Sequence, residues 1–260
     1  MTNSDVKATI KAVIFDMDGL LLDSESLYTT ISNEILAPFN KQLTWEIKAI
    51  LMGRPALESA TLLVEKTGIP MAPEDLIAAM SKRQVEMFPN VKPMPGAERL
   101  VKYLHENKIP LAIATGSVRR NFDLKRTNLA DLFDPFGENV VCGDSPELKR
   151  GKPSPDPFLL AARLFLGLEI SPDEQGFYHA LDDAQIAQLS GIRPDEILVF
   201  EDGLAGVRSA KAAGMRVIWV PDPELKKLQI SQGEEPPDAD QVLNSLEEWD
   251  GPMWGLPAMS

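Results

Sequence analysis

Four short strings put reactive side chains directly after apolar runs or just ahead of helical ones. Asp16-Met17-Asp18-Gly19 follows KAVIF (11–15), Thr115-Gly116-Ser117 follows PLAIA (110–114), and Glu201-Asp202-Gly203 follows ILVF (197–200). Lys152 stands between Gly151 and Pro153, before a helical stretch. Carboxylates, a hydroxyl and a lysine are the groups of nucleophilic and acid–base chemistry. In an open parallel sheet, ligands bind beyond the carboxyl ends of the strands, so these strings would meet on one rim. Each also has an ordinary reading. Asp and Gly form turns, Thr115 would cap a helix, Lys152 would be a solvated loop residue, and Glu201-Asp202 would favour a helix N-terminus. The shared placement of all four argues for a common site.

The elements that must position them are legible from periodicity. Residues 11–15 are a β-branched and aromatic run, and with 110–114, 139–142, 197–200 and 215–220 they have strand character. Helical patterns over 97–106, 117–127, 155–166 and 203–213 alternate with them, which predicts an α/β fold with a doubly wound, mostly parallel sheet. Residues 24–90 carry helical signals and no strand alternation. Leu27, Ile31 and Ile35 share one face. Leu57, Ala60 and Val64 share another, between Pro55 and Gly68, and Pro73 opens a segment with Ile77, Met80 and Met87. The prediction is a small all-helical cap domain (24–93) inserted after the first strand of a discontinuous core (1–23 and 94–260), with hinges near Asp23–Ser24 and Pro93–Gly96. Residues 168–196 form a long excursion, and 221–260 is acidic, proline-rich and without a strong period.

The 260 residues carry 26 Lys and Arg against 39 Asp and Glu, a net charge of −13. That disfavours nucleic acid as a partner. The excess acid is localised: residues 168–197 contribute −6 and residues 221–260 contribute −7, so the rest of the chain, with all four strings, is neutral overall. The single cysteine, Cys142, excludes an intramolecular disulfide and reads as a small core residue at the end of a strand. With no secretory signal and no apolar run of about 18 residues, the expectation is a cytoplasmic protein with no membrane partner, a monomer being favoured. His105 and His179 lie off any plausible site.

KAVIFDMDGLLLDSE (11–25), LAIATGS (111–117), GKPSPDPF (151–158) and VFEDGLAGV (199–207) resemble the four motifs of the haloacid dehalogenase-type phosphohydrolases. MGRPALESA (52–60), FPNVKPMPGAERL (88–100), FDLK (122–125) and WGLP (254–257) narrow the resemblance to the subgroup of pseudouridine-5′-phosphatases and plant-type glycerol-3-phosphatases. Residues 168–196 have no counterpart in it, and Gly203-Leu204 replaces a smaller, proline-containing run.

The resemblance implies a Mg²⁺-dependent phosphatase acting on a small phosphate ester. Asp16 is then the nucleophile and Asp18 the general acid and base. Thr115, with the backbone N–H groups of Met17 and Gly116, cradles phosphate oxygens, beside Ser117. Lys152 counters charge on Asp16 and the phosphoryl group. Asp16, the Asp18 carbonyl and Asp202 supply metal ligands, with Glu201 bound directly or through water. Arg54 is the leading substrate contact in the cap, and Tyr28 and Glu58 are weaker ones. The basic run Arg119, Arg120, Lys125 and Arg126 reads chiefly as a solvated helix face. A phosphomutase sharing the aspartyl-phosphate step is the alternative enzyme, and a non-catalytic phosphosugar-binding protein the alternative outside catalysis.

Overall fold

The computed structural model describes residues 9–51, 56–231 and 236–258. Six strands, β1 (Ala12–Phe15), β2 (Leu111–Ala114), β3 (Val140–Val141), β4 (Ile197–Glu201), β5 (Arg216–Trp219) and β6 (Gln241–Val242), form one sheet in the order β3-β2-β1-β4-β5-β6. Every pairing is parallel. β1 is central, with Ile14 opposite Ala112 on one side and Val199 on the other. Strand order reverses between β1 and β4, the crevice where sheets of this kind hold ligands.

Alternation along β1 feeds two cores. Val13 and Phe15 belong to one apolar cluster, Ala12 and Ile14 to the opposite one, and all four are buried. Phe15 stacks on Phe200 of β4 with ring centroids 5.0 Å apart. Burial on both faces explains why these strands read as continuous apolar runs rather than alternating ones. Helices α5 (Ala97–Glu106), α6 (Arg119–Arg126), the short α7 (Ala130–Phe133), α8 (Asp156–Phe165), α9 (Asp183–Ala187), α10 (Leu204–Ala212) and α11 (Pro223–Ser231) link or flank the strands.

Between β1 and α5 the described residues make four α-helices, h1 (Ser24–Leu36), h2 (Trp45–Leu51), h3 (Ala56–Thr67) and h4 (Pro73–Met87). Asp23 caps h1 by accepting from the Ser26 backbone N–H at 3.4 Å, and Gly68, at φ +67°, ends h3. Leu36, Ala60, Leu63, Ile69 and Leu76 form a third apolar cluster, with Ile35, Val64, Ile77 and Met80 packed against it. Leu57, expected on the buried face of h3, is 53% exposed. It lies in the first turn, and the cluster begins one turn later at Ala60. The two connections to the sheet run side by side. Leu22 bridges Pro93 in antiparallel fashion, Met94 N–H donates to the Leu21 carbonyl, and Asp23 N–H donates to the Lys92 carbonyl, each at 2.9 Å.

The acidic tail, although its sequence has no strong period, is part of the fold, with Glu224, Asp238, Glu247, Glu248 and Asp250 exposed. It contributes α11 and β6, and Leu243, Leu246, Trp249, Trp254 and Leu256 are buried in the core cluster that also holds Phe15 and Tyr103. The 168–196 excursion likewise buries Tyr178. Its backbone carbonyl accepts from the Arg150 guanidinium at 2.6 Å, which pairs with buried Asp156 at 2.7 Å. The excursion thus braces the loop that carries Lys152.

Candidate active site

β1 ends at Phe15 and delivers Asp16, 6% exposed, to the β1/β4 crevice. Its backbone N–H still donates to the Phe200 carbonyl at 3.0 Å, which fixes the residue to the sheet. Asp16 Oδ1 accepts from Lys152 Nζ at 2.5 Å, and the same ammonium donates to Glu201 Oε1 at 2.5 Å. Burial pushes the Asp16 carboxyl up to about 7, with Lys152 opposing and Glu201 and Asp18 adding to the rise. For Lys152, burial alone would lower the ammonium, but Asp16 and Glu201 outweigh it and raise it.

Glu201, the last residue of β4, is fully engaged. Oε1 meets Lys152 and Oε2 accepts from the Gly203 N–H at 2.9 Å. Both oxygens thereby orient Lys152 and the loop after β4. Gly206 makes room for it: a Cβ there would lie 1.7 Å from Glu201 Oε1. Neighbouring Asp202 is buried, and its backbone carbonyl accepts from the Trp219 indole N–H at 2.8 Å. Its carboxyl is raised well above the usual range by burial, then by Glu201, Asp16 and Glu25. Gly19, at φ +79°, lets the Asp16–Gly19 turn pass under Asp202; a Cβ would sit 2.4 Å from Asp202 Oδ2.

Asp18 keeps different company. Ser24 Oγ and Lys125 Nζ donate to its Oδ1, the former at 2.5 Å. Ser117 Oγ donates to Oδ2 at 2.7 Å, with the Thr115 hydroxyl at 3.5 Å. Burial would raise this carboxyl, but Lys125 and the hydrogen bonds from Lys125, Ser24 and Ser117 hold it below the usual range. Thr115 Oγ1 also accepts from the Ser117 N–H at 3.0 Å, shaping the loop after β2. Gly143 lies so close to this loop that a Cβ would meet the Gly116 carbonyl oxygen at 2.4 Å.

The rim therefore brings together Asp16, Met17, Asp18, Thr115, Gly116, Ser117, Lys152, Glu201 and Asp202. Arg54 lies outside the described residues, and Glu58 is exposed on h3. Tyr28 turns its hydroxyl toward Lys125 Nζ at 3.3 Å. Lys125 is the residue sequence reasoning misplaced: it is fully buried rather than part of a solvated face. Phe122, buried on the same helix at i, i+3, is the signal that could have found it. Cys142 is buried and its thiol is pushed up to about 11 by that burial, consistent with an inert core residue. His105 and His179 are exposed.

Among the described residues no three acidic, histidine or cysteine side chains converge on one point as they stand. Asp16 and Glu201 nonetheless place two buried carboxylates on a single ammonium, with a third buried carboxylate, Asp202, in electrostatic reach of both. Mg²⁺ accepts hard oxygen donors and keeps several waters, so two carboxylates and a backbone carbonyl suffice. The residues fit such an ion.

A family model of haloacid dehalogenase-like hydrolases matches residues 10–214, and the chain belongs to that family. It is 43% identical over 253 residues to (DL)-glycerol-3-phosphatase 2 of Arabidopsis thaliana, covering 96% of this chain and 93% of that one. It is 37% identical over 247 residues to a probable pseudouridine-5′-phosphatase of Drosophila melanogaster, covering 95% and 94%. The fold is similar to that of CbbY from Rhodobacter sphaeroides, solved with phosphate, at a TM-score of 0.65 and 24% identity over 92% of this chain and 96% of that one.

Proposed function

We propose that the protein is a Mg²⁺-dependent phosphatase that hydrolyses a small phosphorylated metabolite through an aspartyl-phosphate on Asp16. The observation that carries this reading is the division of labour between two carboxylates two residues apart: Asp16 faces Lys152 at 2.5 Å, while Asp18 is held by Ser24, Ser117 and Lys125. One carboxylate attacks, and the other moves protons.

Asp16 displaces the alcohol from phosphorus, and a water then cleaves the acyl phosphate, so one hard displacement becomes two easier ones. Lys152 balances charge on Asp16 and the transferring group, and Glu201 acts through Lys152 by fixing its position. Asp18 protonates the leaving alcohol and later accepts a proton from the attacking water. An incoming phosphate dianion opposes the hold of Lys125 on the Asp18 charge, which favours its taking up the proton to be donated. Thr115 and the N–H groups of Met17 and Gly116 cradle the phosphate oxygens. Asp16, Asp202 and the Asp18 carbonyl would hold Mg²⁺, which supplies charge neutralisation at the phosphoryl oxygens. The helical segment 24–93 serves as the cap over this rim, and Arg54 within it as a substrate contact.

The names of the relatives favour glycerol 3-phosphate, pseudouridine 5′-phosphate or a related sugar phosphate as substrate. A reducing compartment such as the cytosol suits the single buried thiol. A panel of phosphate esters assayed with Mg²⁺ and with EDTA tests the reading: Mg²⁺-dependent phosphate release is expected. Isomer formation without phosphate release would establish the mutase instead, and no turnover on any ester would revive a binding protein.

A further inference from the structure

A lysine with no exposed surface, on a helix otherwise rich in solvated charge, needs a reason to be inside. The ammonium of Lys125 touches Asp18 Oδ1, lies 3.0 Å from Ser117 Oγ and 3.3 Å from the Tyr28 hydroxyl, and sits over two aromatic faces, Tyr28 at 5.1 Å and Phe88 at 4.7 Å. Tyr28 is on h1 and Phe88 opens the short turn that follows h4. One charge therefore joins the core helix α6, the Asp16–Gly19 turn, and both ends of the helical segment. Its tetramethylene stem is buried with the ammonium, as is Phe122 one turn earlier on α6.

The arrangement distinguishes the two oxygens of Asp18. Oδ1 takes both Ser24 and Lys125, which uses it up. Oδ2 has one good bond, from Ser117 at 2.7 Å, and the long contact from Thr115 at 3.5 Å. Oδ2 is thus the oxygen with acceptor capacity left for substrate or water. We infer that Lys125 is a positioning residue for Asp18: it fixes Oδ1 so that Oδ2 faces the reacting atoms, and it ties that pose to the root of the helical segment through Tyr28 and Phe88. This deepens the phosphatase reading and rests on it.

The test exploits leaving groups. An alkyl alkoxide needs a proton to depart, whereas p-nitrophenolate does not, and kcat/KM reports the steps up to alcohol release. Lys125→Met keeps the stem and removes the ammonium. Its kcat/KM for glycerol 3-phosphate should fall about 30–100-fold, the loss lying in kcat, while that for p-nitrophenyl phosphate changes less than about 3-fold. Asp18→Asn sets the full size of this signature. A wild-type protein releasing phosphate from neither ester would sink the underlying reading. With wild type active and Asp18→Asn showing the signature, an equal loss on both esters in Lys125→Met, or no loss, overturns the inference alone. Should Lys125→Met fail to fold, Tyr28→Phe carries the test. It removes the hydroxyl beside Lys125 and should shift the same ratio in the same direction by a smaller factor; an unchanged ratio overturns the inference.

Discussion

The Lys152 and Lys125 clusters are built from the same two groups, a buried lysine and a carboxylate of the Asp16–Gly19 turn, yet they differ in balance. Lys152 is shared between two carboxylates, Asp16 and Glu201, with a third, Asp202, nearby. Lys125 serves one carboxylate that hydroxyls from Ser24 and Ser117 also satisfy. The first cluster has excess negative charge and is incomplete without a cation. The second is closed in itself. On the proposed phosphatase reading, a nucleophile that must meet an anion needs the former, and a proton carrier that must keep its place needs the latter.

The most severe break in the comparison is Asp16→Asn, which should lower kcat by at least about 10⁴-fold with circular dichroism and Tm intact. Dialysis against EDTA comes next: activity should fall by about 10³-fold or more and return on adding Mg²⁺, because only the first cluster lacks balancing positive charge. Removing each lysine separates the clusters by stability. Lys152→Met leaves buried carboxylates facing one another and should cost about 3–5 kcal/mol in urea unfolding at pH 8. Lys125→Met leaves Asp18 its two hydroxyl donors and should cost about 1–3 kcal/mol. Equal losses would abolish the distinction.

Two smaller effects sharpen it. Gly206→Ala presses a methyl into Glu201 and should cost about 1–3 kcal/mol, read from the same urea midpoint, with activity falling as Lys152 shifts. The last is a pH dependence. The folded protein holds the Asp16 proton up to about 7, more tightly than an unfolded chain holds it near about 4. The buried anion therefore lowers stability as pH rises through that window, fully so above about 7. Mg²⁺ binds the ionised form and offsets that cost. Its stabilisation, measured as a shift in Tm, should be a few degrees larger at pH 8 than at pH 5.

Much of this was legible before any coordinates. The central strands announce themselves because both faces are buried, and the reactive residues stand where the apolar runs stop. Asp16, Asp18, Thr115 and Asp202 follow from that rule, and Lys152 from its place just ahead of a helix. Lys125 did not, since amphipathic reasoning sends lysine to solvent, and only a carboxylate brought from a distant turn reverses that preference. Glu201 follows from the same rule, but its bonds to Lys152 and the Gly203 N–H depend on a second loop arriving, which no local pattern reveals. β6 escaped notice because two residues, one of them the 41%-exposed Val242, carry no periodic signal. The burial of Trp249 and Trp254 depends on α5 and the sheet offering a surface, which composition alone does not reveal.

The bridge between Leu22 and Pro93 has a bearing on how such a chain can change. The four-helix segment departs from the sheet and rejoins it at neighbouring points. Closing a loop of chain grows only slowly more costly with its length. A short turn or a different module could span the same two residues, while β1 and its rim kept their register. If the helical segment acts as the proposed cap, the sheet is a fixed reaction bench with an interchangeable fitting, and grafting segments from relatives at Leu22 and Pro93 should redirect the choice of substrate.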